Sequence, residues 1–362
     1  LKLQAGILLT PNHWCNGDGL IVGILAAQAN AFCYYLVADH IFRRSPWTGW
    51  LINRHGAFSV LREGTDRESL RTSVQVLGSA ERPLVIFAEG TWYRQNDRVG
   101  PMQEGPALIA QQAARHSDRP IVIHAVAIKY WMLQDPRPAL IHRLETIERQ
   151  FGISAGDSTD IIARLKIANA AWVAAQERSI LGAEQVGDVD QRCLQLAERL
   201  VSRLETTHLG RRTDQSLMDR VWRLRGINVR NLMDKSGLAA TARLHLDLLL
   251  LCEFLYSHSL AYLDEHPTFE RLAESVQRLE EIVFDRFAQP VVPMGVTVEV
   301  GEPIAVTSET PSDTQVGDRR RQLMANVKTK LQGLLDGLNE MGPPASWRKF
   351  VDPASKGGFS HV

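Results

Sequence analysis

The chain has 362 residues, 44% of them hydrophobic, with 41 basic and 41 acidic side chains and therefore no formal net charge. That length fits two domains, or one domain with a large insertion, and that composition supplies a sizeable core. Zero net charge argues against a dedicated nucleic-acid binder, which needs a polyanion-sized basic surface. The four cysteines (Cys15, Cys33, Cys193 and Cys252) form no C-x-x-C pair and fit free thiols in a reducing compartment.

The chain opens Leu1-Lys2-Leu3 without an initiator Met, which leaves room for an upstream segment, a membrane anchor included; no signal peptide is visible in these residues. Over the first 130 residues, short apolar runs alternate with helical patterns. Residues 6–10 read as a strand and 19–29 as a helix. Strands follow at 31–37 and 57–61, a helix at 65–77, a strand at 84–87, a helix at 105–115 and a strand at 121–128. The stretch 19–38 carries no charge and is nearly as long as a membrane span. Gln28 and Asn30 sit at its middle, so it reads as a buried helix followed by a buried strand. Asp66 looks like an N-cap and Gly78-Ser79 like a helix stop.

After Trp131 the texture becomes helical. Helices are expected over 161–181, 189–206, 217–225, 238–263 and 268–287. Strand character returns over 291–306, and a last amphipathic helix runs over 319–338. The expected organisation is α/β: a mixed, largely parallel sheet flanked by helices over 1–131, interrupted by a helical insertion over 132–290. Residues 291–340 then return a strand and helix to the core, and 341–362 form a loose tail.

Three blocks carry chemistry. In the first, Asn12-His13-Trp14-Cys15-Asn16-Gly17-Asp18, a strand-end His stands five positions before an Asp that opens a helix. An imidazole there can take a proton from a hydroxyl attacking a thioester, and a carboxylate can hold its other nitrogen. With 11 His in the chain, one such spacing is within what chance supplies, and the plain alternative is a loop His with Asp18 as an N-cap. In the second block, Gly56 leads to Arg62 at a strand end. In the third, Phe87-Ala88-Glu89-Gly90-Thr91-Trp92-Tyr93-Arg94, a Glu-Gly-Thr turn follows an apolar strand. Arg62 and Arg94 could hold a phosphate bidentately, with backbone N–H groups of Gly90 and Thr91 beside them. Glu89 could bind an acceptor hydroxyl or fix the loop. A solvated Arg and a structural turn are the plain alternatives.

In this order and spacing, the three blocks and the strand over 123–128 resemble the N-H-x4-D, G-x5-R, F-P-E-G-T-R and V-P-V-A-I blocks of the glycerolipid acyltransferase family, which includes 1-acyl-sn-glycerol-3-phosphate acyltransferases. The resemblance covers about 5–131 and 291–340. It implies a glycerol-3-phosphate acyltransferase-like core with His13 as general base and Asp18 as its partner. Asn12, Arg62, Glu89, Gly90, Thr91 and Arg94 would bind substrate. It further implies O-acyl transfer from acyl-CoA or acyl-carrier protein to a lysophospholipid, with 1-acylglycerol-3-phosphate the leading acceptor. The thioester would be co-substrate, with no cofactor or metal. Partners would be the acceptor, the donor and a membrane surface but no nucleic acid, in a cytoplasmic, membrane-peripheral setting. Ala88, Trp92 and His124 depart from the blocks. Trp92 stands where the family's phosphate-binding Arg would be, which opens two alternatives: another lysolipid or alcohol acceptor, or a non-catalytic lipid- or partner-binding relative.

The middle of the insertion is locally basic (Arg211, Arg212, Arg220, Arg223, Arg225 and Arg230) and reads either as a solvated helix face with i,i+4 pairs or as a docking surface for anionic membrane. The insertion could also form a lid or an acyl tunnel. Trp47 and Trp50 fit either an interfacial anchor or core packing. Cys15 with His13 and Asp18 lacks a fourth ligand at a familiar zinc spacing.

Overall fold

The alternating apolar runs of the first third become parallel strands, because each is followed by a helix that carries the chain back across a sheet face. The computed structural model describes residues 3–42, 45–61, 66–154, 160–233, 238–307 and 316–347. The strands are β1 (Gly6–Pro11), β2 (Tyr34–Ala38), β3 (Ala57–Val60), β4 (Leu84–Val85), β5 (Ile121–Met132), β6 (Met294–Val300) and β7 (Ile304–Val306). Their order is β3-β2-β4-β1-β5-β6, with β7 also beside β5. β1 runs parallel to β4 and β5, β2 runs parallel to β3 and β4, and β7 is antiparallel to β5. The sheet is mixed and mostly parallel, as expected.

The connecting helices are α1 (Asp18–Gln28), α2 (Asp39–Phe42), α3 (Pro46–Arg54), α4 (Arg67–Ser79) and α5 (Gly105–His116). Asp66 caps α4: one carboxylate oxygen accepts from Ser69 N at 2.9 Å, and the other from Leu61 N at 3.0 Å. Sequence patterns missed α2 and α3. The latter starts on a Ser45 cap with Pro46 in its first turn, where a proline loses no helical hydrogen bond but reads as a breaker in a linear scan. The expectation that 19–29 is a buried helix needs correction. Asp18, Val22 and Ala26 face inward, whereas Leu20 and Ile24 lie on an exposed face.

Two compact units result, Leu1–Lys129 with Val296–Gly342 and Tyr130–Gly295 with Pro343–Val362. Within the second lie α6 (Arg137–Gln150), α7 (Ile161–Leu181), α8 (Val189–Leu209), α9 (Leu217–Met233), α10 (Ala239–Ser257), α11 (Ala261–Glu265) and α12 (Phe269–Phe284). Their core is built from residues such as Leu144, Trp172, Leu200, Leu224, Leu249 and Val276. The sequence reading left α6 unassigned; its first turn holds a proline, Pro138. Arg211, Arg212, Arg223 and Arg230 are exposed, as a solvated face requires, whereas two of the six arginines bridge between helices. Arg220 is buried and reaches Glu205 at 2.7 Å, and Arg225 reaches Glu253 at 3.0 Å. The stretch Ala239–Glu265 is long and apolar enough to cross a bilayer, and half of its most apolar window is buried inside the structure.

The first unit is completed from the C-terminal side. α13 (Val316–Met341) inserts Met324 and Val327 beside Leu8, Leu77 and Ile123, and packs Leu331 and Leu335 on Ala125 and Ala127. Residues 348–362, most of the tail expected over 341–362, lie outside the described residues.

β1 needs a special device where it leaves the sheet. Pro11 has no N–H to donate, and Asn12 N reaches Val126 O at only 3.3 Å. The Asn12 side chain then acts as an extra rung: its amide donates to Ile128 O at 3.0 Å and accepts from Ile128 N at 2.7 Å. Replacing Asn12 by Ala leaves both buried Ile128 groups unmatched and should lower stability by about 1–3 kcal/mol. Asn12→Asp keeps the acceptor but loses the donor and should also be destabilising; urea denaturation of both variants checks this.

Candidate active site

Parallel strands deliver their C-terminal ends to one sheet edge, where open α/β sheets place their sites. β1 delivers His13 and β4 delivers the 86–91 loop to that edge, side by side. Asp18 is the first residue of α1, and the cap position belongs to Gly17, so the plain N-cap reading of Asp18 does not hold. Its fully buried carboxylate turns back along the loop instead. One oxygen, Oδ2, accepts from Trp14 N at 2.7 Å, from Cys15 N at 2.8 Å and from His13 Nδ1 at 2.8 Å. A carboxylate can only accept here, so Nδ1 carries the proton and Nε2 presents its lone pair. The His13 side chain is 17% exposed against 0% for Asp18, so the imidazole is open to solvent and the carboxylate that holds it is not.

The position of His13 is fixed a second time from β4. Glu89, also buried, accepts from His13 N through Oε1 and from Gly100 N through Oε2, each at 2.9 Å. Burial pushes the Glu89 carboxyl up to about 8, with the charge of Asp18 adding to the rise; the two backbone N–H groups and the positive charge of Lys328 on α13 oppose it. The turn that carries Glu89 needs Gly90 at φ 69°, and a Cβ there would run into the Gln103 side chain. Thr91 lies in the same turn, partly buried.

The imidazole sits between two aromatic rings, Phe87 at 4.4 Å between centroids and the edge of Trp92 at 5.8 Å. Neither was assigned a role from sequence, though Phe87 ends the apolar strand and Trp92 was noted as a departure from the resembled motif. Arg94 is buried with φ 56°, its guanidinium 5.4 Å over the Trp14 ring. It therefore stands in the wall behind the His13 loop, not at a solvated loop tip. Asn12, expected to touch substrate, instead spends its amide on Ile128 and acts as a positioning residue. Arg62 lies outside the described residues. Two further supports escaped the sequence reading: the buried Lys129–Asp97 ion pair, and Gln332 of α13, which donates to Asp97 O at 2.8 Å and accepts from Val99 N at 2.9 Å. Their separation along the chain left no linear signal. His124, which stands where the resembled block has a proline, keeps its place in the β1–β5 ladder and bonds Gly301 O through its ring at 2.8 Å. Among the described residues, no group of three or more His, Cys, Asp or Glu is arranged to hold a metal ion.

An oriented imidazole with a free lone pair, on a sheet edge with a Glu-Gly-Thr turn beside it, is the equipment of an enzyme that activates a hydroxyl for acyl transfer. Residues 1–129 match the model of the Acyltransferase family, the family of glycerolipid acyltransferases such as 1-acylglycerol-3-phosphate acyltransferases. The match spans the first 129 of the 362 residues and supports acyl transfer as the class of chemistry for that region. No curated protein and no solved structure matches the chain.

The raised Glu89 carboxyl has a consequence for stability. Its folded value lies above its unfolded one, so the folded state binds the proton more tightly. The resulting stabilisation is complete below the ordinary value of 4.5 and is lost as pH rises through about 8. Glu89→Gln should remove this dependence: over that window its Tm should fall less than that of the wild type. The variant starts from a lower Tm, because its amide turns an N–H toward a backbone N–H. The slope of Tm against pH is the readout.

Proposed function

We propose that the protein moves a fatty acyl group from acyl-CoA or acyl-carrier protein to a lysophospholipid hydroxyl at a membrane surface, with 1-acylglycerol-3-phosphate as the leading acceptor. The observation that carries the reading is the 2.8 Å contact of His13 Nδ1 with a buried Asp18, which leaves Nε2 as the only ring nitrogen able to accept a proton. The acceptor hydroxyl gives its proton to Nε2 as its oxygen bonds to the thioester carbonyl carbon. The tetrahedral intermediate then expels the thiolate, the C–S bond breaks, and the imidazolium returns the proton to sulfur. Asp18 stabilises the cation between these steps and keeps the ring from turning. Phe87 and Trp92 wall the imidazole with apolar surface.

Trp92 favours one second reading. An indole edge beside His13, where the resembled motif has a cation, suits an acceptor that brings no phosphate monoester to that position, such as another lysolipid or an alcohol. The 92 position then sets the acceptor and leaves the chemistry unchanged. The fully assembled His13–Asp18 pair argues against an inert relative.

The test is transfer of labelled palmitoyl-CoA to lysophosphatidic acid in mixed micelles. His13→Ala should lose about 10²–10⁴-fold in rate, and Asp18→Asn should also be strongly impaired while circular dichroism stays that of the wild type. Retained transfer in either variant removes the assigned roles. Competition between lysophosphatidic acid and neutral-headed lysolipids, in wild type and Trp92→Arg, decides the acceptor: on the second reading the substitution shifts preference toward the phosphate-bearing competitor.

A further inference from the structure

The first unit carries an apolar surface that its own fold leaves open. Right-handed crossovers from β1 to β2 and from β2 to β3 step the same way along the sheet, so α1, α2 and α3 cover one face, while α4 and α5 cover the other. Side-chain alternation in β2 agrees: Tyr34 and Leu36 pack with the α4–α5 cluster, whereas the Tyr35 hydroxyl approaches Gly23 of α1. On the outward side of this helical layer Leu20 is 70% exposed and Trp47 78%, with Ile24, Trp50 and Leu51 about half exposed. Phe32, in the α1–β2 connection, is 73% exposed. Trp47 and Trp50 meet edge to face at 5.8 Å, and Arg54 lies 5.4 Å over the Trp50 ring.

Charge is distributed along the same stretch in a directional way. No charged side chain occurs from Gly19 to Ala38. From Asp39 to Arg62 there are four arginines (Arg43, Arg44, Arg54 and Arg62) and two histidines against one acidic residue, Asp39, in a chain whose net charge is zero. Exposed indoles beside arginines, next to an apolar helix face, match the two zones of a lipid interface: acyl boundary below, anionic headgroups above. The excess of arginine over acid in this stretch complements an anionic lipid surface. The layer also starts at the catalytic edge: Leu20 is two residues past Asp18, and β2 hands over to α2 at the same sheet edge as β1 hands over to His13.

We infer that the α1–α3 face docks the enzyme on an anionic lipid surface through Leu20, Ile24, Phe32, Trp47, Trp50 and Arg54, bringing the His13 edge to the plane from which the acceptor is drawn. The inference rests on the membrane-borne acceptor proposed above and assigns the face that reaches it.

The test uses the 362-residue chain and vesicles of phosphatidylcholine alone or mixed equally with phosphatidylglycerol, with binding read by flotation. Wild type should bind the mixed vesicles, weakly the neutral ones, and less at high salt. Trp47→Ser with Trp50→Ser should weaken binding about tenfold, and Arg54→Gln about fivefold. These side chains are exposed, so circular dichroism and Tm should stay unchanged. A second readout separates docking from chemistry. On short-chain donor and acceptor below their micellar concentrations the variants should turn over like wild type, while on vesicle-borne acceptor they should lag in proportion to lost binding. Wild type that transfers acyl groups between soluble substrates but ignores anionic vesicles overturns the docking face and leaves the chemistry standing. Vesicle binding that depends on these residues without any transfer supports the face and removes the proposed function. Equal binding to both vesicle types, or a dimer in solution that the tryptophan pair variant dissolves, overturns the inference.

Discussion

Three donors converge on a single oxygen of Asp18: two backbone N–H groups of its own loop and the Nδ1–H of His13. That convergence decides several things together. It closes the loop between β1 and α1, sets the tautomer of the imidazole, and fixes which nitrogen a substrate meets. The carboxylate is wholly buried, so its orientation is not shared with solvent. Everything else at the sheet edge keeps this loop in register. Asn12 anchors its entry to β5, and Glu89 holds the His13 amide from the neighbouring strand.

The two carboxyls near His13 are set in different environments by their donors and their burial. Asp18 has three donors on one oxygen. Glu89 has one donor per oxygen, full burial and a negative neighbour, and burial wins, raising its carboxyl to about 8. Glu89 is therefore suited to holding backbone geometry, while Asp18 holds the imidazole ring. One position in the sequence thus orients the ring and the other supplies placement, although both are acidic residues in loops.

Much of this was readable before any coordinates. Strand and helix alternation in the first third exposed the parallel sheet, because period-two apolar runs and capped helices are local properties. The His13–Asp18 pair was also legible, since five residues are too few for anything but local geometry to join them. What stayed hidden were relations across the chain: the Asn12 rung to Ile128, the Gly100 amide on Glu89, the Gln332 brace and the aromatic walls of Phe87 and Trp92. Helices α3 and α6 were not read from the sequence, although α5, which also holds a proline in its first turn, was. The arginines of α9 misled in another way. Arg223 and Arg230 do lie on an exposed face, but the acidic partners of Arg220 and Arg225 sit on α8 and α10. A charge pattern read on one helix does not reveal what the next helix presents.

The C-terminal segment gives the family match a meaning of its own. The matched region ends at Lys129, yet β7 lies against β5, Met324 and Val327 complete the cluster around Leu8, and Gln332 spans the loop that holds Asp97 and Val99. The matched region and the folding unit therefore have different borders. A fragment cut at the end of the match would keep every catalytic side chain named above and still expose a strand edge and an apolar sheet face. The first unit therefore closes only after α13 has been synthesised, with the whole of 130–295 emerging from the ribosome in between.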